Sequence, residues 1–106
     1  MIDARKLDRT IRIDRHTTGL NADREPVETW EPVATLAAQR LENGSREFRR
    51  AYGVAEEGEA VFRVRFVAGI TTADRIVFEG EPLDLVEVVE LGRRAGLDLR
   101  TRTPKA

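Results

Sequence analysis

Residues 59–80 read EAVFRVRFVAGITTADRIVFEG. Ala60, Phe62, Val64, Phe66 and Ala68 alternate with Glu59, Val61, Arg63, Arg65 and Val67. An apolar side chain at every second position is the period of an extended strand with one buried face. The opposite face carries two arginines but also two valines, so it is only partly wet. Gly69 breaks the run, ITTAD makes a short connection, and RIVFE resumes extended structure up to Gly80. The stretch reads as a strand pair, the rigid part of a mostly antiparallel β protein.

Downstream, residues 82–91, PLDLVEVVEL, place Leu83, Leu85 and Val89 on one side and Val86 and Val88 on the other. Two apolar faces suggest a strand covered on both sides. Residues 92–94 read as a hairpin loop. In 95–102, AGLDLRTR, Leu97, Leu99 and Thr101 oppose Asp98, Arg100 and Arg102. Upstream, residues 7–15, LDRTIRIDR, form a half-buried strand. Residues 16–26, HTTGLNADREP, lack any period and read as a loop long enough to be a contact loop. Residues 27–42, VETWEPVATLAAQRLE, mix helix and strand formers. Val27, Thr29, Trp30, Val33 and Thr35 favour a long strand, bent or bulged near Pro32. A turn at Asn43 and Gly44 leads into 45–55, SREFRRAYGVA. There Ser45 is a candidate N-cap, Glu47 suits the first turn, and Phe48, Ala51, Tyr52 and Ala55 have helical spacing. The prediction is a short helix or a partly ordered loop. Residues 1–6 read as a loose lead-in or arm, and 103–106 as a frayed tail. The sum is an all-β fold: a small antiparallel barrel or sandwich of about six strands, with one short helix between strands two and three.

With 106 residues, one domain over 1–106 is expected. The 18 basic and 19 acidic residues nearly balance, which argues against a dedicated nucleic-acid or polybasic membrane binder. No cysteine is present, so no disulfide or thiolate metal site can form. No apolar run reaches the length of a membrane span and no signal-peptide core opens the chain, so a cytoplasmic, soluble protein is expected.

Chemistry is sparse. His16 is the only histidine and neighbours Asp14, but no nucleophile or second acid completes a site. A solvated His at a strand end is the favoured reading. Glu56, Glu57 and Glu59, and likewise Glu79, Glu81 and Asp84, read as solvated turns rather than hard-cation sites. No glycine pattern forms a phosphate cradle. Neither an enzyme, a cofactor nor a metal is expected. Arg46, Arg49 and Arg50 share one helical face, either plainly solvated or able to meet phosphate or an acidic partner. Trp30 is read as core in preference to interface anchor.

The order of these features resembles a known family. KLDRTIRIDR is similar to an opening strand, EPVETWEPVAT to a loop leading into a Trp, and GSREF to the start of a variable middle loop. FRVRFVAGITTADRIVFEGEPLDLVEVVE and GRRAGLDLRTR resemble an Arg-bearing strand, a Gly-Ile-Thr link, an Arg-Ile strand and a closing hairpin. Together they resemble the head–tail joining (head-closure, stopper or adaptor) proteins of tailed bacteriophages and of gene transfer particles. Leu83 and Ala37 stand where that family often has aromatics. The resemblance implies a structural virion component, not an enzyme. Its homo-oligomeric ring would lie between the portal or adaptor and the tail, near packaged DNA, with no membrane and no small-molecule substrate. Its partner interface would then fall in 16–26 and 43–57, on His16, Leu20, Arg24, Arg46, Glu47, Phe48, Arg49, Arg50 and Tyr52. The competing reading is a small nucleic-acid-binding β-barrel using Phe62, Phe66, Arg63 and Arg65, although alternation puts the aromatics and the arginines on opposite faces.

Overall fold

The computed structural model describes residues 2–42, 44–54 and 56–104. Met1, Asn43 of the expected turn, Ala55 at the end of the helical stretch, and residues 105–106 of the expected tail lie outside the described residues. Six strands form: β1 (Arg9–Leu20), β2 (Pro26–Leu41), β3 (Glu59–Arg65), β4 (Arg75–Phe78), β5 (Glu81–Leu91) and β6 (Gly96–Arg102). They pair antiparallel in the order β1-β2-β3-β6-β5-β4, and β4 returns to β1 to close a barrel. Of the two architectures the sequence left open, the chain adopts the barrel. The one short helix, α1 (Arg46–Tyr52), lies between β2 and β3 as expected.

The alternation in β3 sets the interior. Ala60, Phe62 and Val64 point inward with Ile11, Ile13, Ala38, Ile76, Leu85, Leu97 and Leu99, and Phe66 and Phe78 pack against them. β3 and β4 are nevertheless not a pair. β3 bonds to β2 and β6, and β4 to β1 and β5. They meet across the interior, where the Phe62 and Phe78 rings lie 4.9 Å apart. Barrel closure separates them, because the link between them spans the barrel instead of making a tight turn. The partly wet outer face of β3 also finds its cover: Val61, with Leu41, packs under Phe48 of α1 in a second, smaller core.

Two register shifts rewrite the local reading. In β5, a shift between Leu85 and Glu87 leaves Val86 unpaired. Leu83 and Leu85 face the core before it and Val88 after it. The two apolar faces thus belong to one strand that switches its inward parity, not to a strand covered on both sides. In β2, Ile13 pairs with Ala34 but Asp14 with Pro32, so Val33 is the extra residue of a bulge beside Pro32, where a bulge was expected. A one-residue insertion turns every later side chain over. Ala34, Leu36 and Ala38 therefore face inward, whereas Trp30, of the same parity, faces out beside His16 and is 37 % exposed. The core reading of Trp30 is corrected by that bulge.

The expected loop at 16–26 is also corrected. β1 runs to Leu20 and pairs with β2 down to Leu20–Pro26, leaving only 21–25 as a turn. Apolar alternation is missing there because neither face of this ribbon is buried, and it takes a buried face to impose that period. β1 and β2 beyond the barrel form an arm. A strand of β2's length spans about 50 Å, in keeping with the 53 Å long axis of the molecule against 29 and 22 Å across.

Nor is the lead-in loose. Asp3 caps a single 3₁₀ turn at Ala4–Lys6, and Ile2 lies over Gly96. A Cβ at Gly96 would stand 2.1 Å from Ile2 Cδ1 and 2.7 Å from the Val64 carbonyl oxygen. Gly96→Ala is expected to cost about 1–3 kcal/mol by overpacking, read as a lower urea midpoint. An unchanged midpoint would show that the N-terminal segment and the β3–β6 pair yield freely.

Candidate functional site

The polar chemistry of the molecule gathers at the arm and at α1, toward opposite ends of β2. On the outer face of the arm root, Arg12 donates to Asp14 through Nε (2.7 Å) and Nη2 (3.0 Å). Arg75 lies 3.7 Å from Oδ2 of the same carboxylate, the oxygen that also accepts from Arg12 Nη2, and its guanidinium stacks over Trp30 at 4.4 Å. Its Nε is buried with no hydrogen-bond acceptor. His16 meets the Trp30 ring edge-on at 5.2 Å and Glu28 at 3.6 Å. The Arg12 hydrogen bonds hold the Asp14 carboxyl below its ordinary pKa despite burial, helped by the charges of Arg12 and Arg75.

The inner face of the arm root is tied down separately. Arg15 donates to Asp74 at 3.0 and 3.2 Å and to the Gly69 carbonyl at 3.0 Å. Burial pushes the Asp74 carboxyl up, but the Arg15 hydrogen bonds, the Thr71 N–H and the Arg15 charge together bring it below its ordinary value. The link that follows β3 thus buttresses the arm. At the tip, Asn21 Oδ1 accepts from the N–H groups of Asp23 (2.8 Å) and Glu25 (2.9 Å), and Arg24 sits at φ 58°. Leu20 is 68 % exposed.

These two depressed carboxyls predict an acid dependence. A carboxyl with a lowered folded-state pKa contributes stability above its unfolded value, near 3.8 here, and loses it as pH falls through the folded value. The thermal midpoint is expected to hold between about pH 5 and 7 and to fall below about pH 4. Arg15→Ala should flatten part of that fall, and an acid limb identical to the parent's would remove Asp74 from the account.

α1 begins at Ser45, whose Oγ accepts from the Phe48 N–H at 3.0 Å. Phe48 is fully buried, and Tyr52 donates its hydroxyl to buried Asp98. Asp98 also accepts from Arg63 Nε (2.8 Å) and Nη2 (3.1 Å), and Arg63 reaches on to Glu47. Burial and the Asp98 carboxylate raise the Tyr52 pKa, and Asp98 keeps Arg63 firmly charged. Arg100 stacks over Tyr52 at 5.0 Å. So Glu47, Phe48 and Tyr52 attach the helix to the barrel. Arg46, Arg49 and Arg50 face solvent, and none has an ion-pair partner among the described residues. Val54, just beyond, is 87 % exposed.

Of the residues named from sequence, the arm carries His16, Leu20 and Arg24, and α1 carries the other six. The two groups are not brought together within one chain. Sequence reasoning missed Arg12, Arg75 and the outward Trp30, set Asp14 beside His16 where the structure gives it to Arg12 and Arg75, and missed the Arg63–Asp98–Tyr52 network. A lone Asp between leucines gives no signal, and Trp30 depends on which residue of the expected bulge is the extra one. The surface also has a cleft of about 310 Å³ between Ile2, Gln39, Arg63 and Leu91, an open mouth of about 550 Å³ over Phe62, Phe78 and Leu83, and a shallow hollow of about 710 Å³ by Phe66, Arg94 and Ala95. Among the described residues, no three His, Cys, Asp or Glu side chains converge as a metal site.

The chain can now be set beside known proteins. The profile of the phage head completion protein family matches residues 2–104. The solution structure of protein SF1141 from Shigella flexneri 2a superposes with a TM-score of 0.74 at 21% identity, covering 96% of each chain. A chain from the virion of a native gene transfer agent particle superposes with a TM-score of 0.60 at 12% identity, covering 90% of this chain and 92% of that one. At those identities the two structures establish the shared fold. No curated protein sequence matches. The family match, spanning nearly every residue, decides membership: this chain belongs to the phage head completion proteins, structural components of the virion particle.

Proposed function

We propose that the chain assembles as a ring between the portal or adaptor and the tail. There it closes the filled head, extends the DNA channel and offers the surface on which the tail docks. The observation that carries this reading is the arm: a braced two-stranded ribbon, open on both faces, projecting from a closed barrel that belongs to a head completion family. A scaffold that sets two contact surfaces about 50 Å apart along one strand suits a joint between successive rings. The arm and the α1 segment are the proposed contacts with neighbours, portal side and tail. The base-stacking alternative loses its platform, because Phe62 is wholly interior and Arg63 is engaged by Asp98. Loss of the gene is expected to leave filled heads without tails, and microscopy of complete particles should find this chain between portal and tail. Tailed particles of normal yield without the chain would overturn the proposal.

A further inference from the structure

Resting on the arm's part in the joint proposed above, we infer that Asp74 and Arg75 form a two-sided clamp that sets the angle of the arm on the barrel, the angle at which the joint is made. The arm leaves the barrel across a bulge. β4 pairs with β1 no further than Asp14, and β3 pairs with β2 only over Ala38–Leu41. Beyond them the β1–β2 ladder continues alone. At the level of Asp14 that ladder is interrupted, because Val33 is the extra residue and Pro32 brings no N–H. A bulge bends and twists its strand locally, and a lone two-stranded ribbon has little rigidity of its own. From Asp14 to Leu20 the ribbon spans about 20 Å, so a lean of about 20° would carry the tip about 7 Å away from any fixed partner.

Two consecutive residues where β4 begins reach across that bulge, one on each face of the arm. Successive side chains of extended chain point to opposite faces. Asp74 takes the inner face. Its carboxylate, 2% exposed, accepts from Arg15 at 3.0 and 3.2 Å and from the Thr71 N–H at 3.1 Å. Arg75 takes the outer face, 3.7 Å from Asp14 Oδ2 and stacked on Trp30 at 4.4 Å. Arg15 and Trp30 both lie on the arm side of Val33, so each contact ties the arm to the barrel across the bulge. A bidentate guanidinium–carboxylate pair and a guanidinium on an indole face are directional. They fix an angle, whereas a plain apolar contact would let the ribbon slide.

The test changes the clamp and leaves every residue of the arm in place. Asp74→Asn keeps an acceptor for Thr71 but loses the charge, and Arg75→Met keeps an apolar stem but loses the guanidinium. The chain has no cysteine, so Thr18→Cys toward the arm's tip and Glu90→Cys on the barrel give two unique sites for nitroxide labels. In free full-length protein, pulsed electron paramagnetic resonance is expected to give one narrow distance between the labels. Adding both clamp changes should broaden that distribution with the circular dichroism unchanged. In unlabelled particles, an arm correctly set about a tenth of the time should lower the yield of joined particles about tenfold, with each single clamp variant in between. Equal widths with and without the clamp changes would overturn the clamp. A broadened distance with a wild-type yield would overturn its part in the joint. If the doubly changed clamp does not fold, the two single variants are judged by the same two readouts. Normal tailed particles made without the chain would remove the joint alone, and the distances would still decide the clamp.

Discussion

Asp98→Ala is expected to destabilise the protein by about 3–5 kcal/mol, because removing one partner of a buried ion pair strands the other. Asp98 has a side chain 1% exposed and accepts from two Arg63 nitrogens and the Tyr52 hydroxyl. Arg63 is itself 19% exposed and keeps Glu47 as a second partner, which places the loss toward the lower end of that range. The variant also cuts the polar link that holds α1 against the barrel. Urea unfolding should therefore show a lower midpoint, and hydrogen exchange should show α1 opening well before the barrel. Asp98→Asn keeps an acceptor for Tyr52 and should recover part of the loss. A loss under about 1 kcal/mol for the alanine variant, the size of an exposed ion pair, would mean that water screens the network.

Phe62→Ala is expected to cost about 3–5 kcal/mol by the lost transfer energy and the cavity left behind. Phe62 is wholly buried and faces Phe78 across the barrel. The barrel is closed by hydrogen bonds on every side, so its wall cannot collapse inward to fill the space. Phe66→Ala, at a partly exposed position at the barrel's end, should cost roughly half as much. The comparison is made on urea midpoints with the slope held constant. Equal losses would show that the interior relaxes around the deleted ring.

How much of this could be read from the chain follows from where a buried face imposes a period. β3, β6 and the first half of β1 carry their alternation openly, and the capped helix announced itself at Ser45. The six-strand antiparallel fold and the family emerged from those pieces. The arm did not, because a ribbon wet on both faces has no period to display. Trp30 is misplaced for a different reason: Pro32 marks a bulge, but only the register shows that Val33 is its extra residue and that side-chain parity turns over between the barrel and the arm. Val86 hid the inward path of β5 in the same way. Asp98 looked like any outward polar residue of an edge-to-edge strand until α1 was seen to roof it. The partner surfaces were legible as segments but not as faces. Glu47, Phe48 and Tyr52 share a helix with Arg46, Arg49 and Arg50, and only packing tells which side faces the barrel.

The two edges of the arm are not alike, and this bears on which of them can accept a further strand. Inside the barrel each strand has a neighbour on both sides, whereas the outer parts of β1 and β2 leave their backbone groups open. β2 carries Pro26, Pro32, the Val33 bulge, Glu28 and Glu31 along its margin, the devices that stop sheets from growing edge to edge. β1 offers His16, Thr17, Thr18 and Gly19 without proline or lysine. A strand arriving from outside can therefore be added on one margin only, and uncontrolled stacking of arm upon arm, which needs both, is blocked by the chain's own sequence.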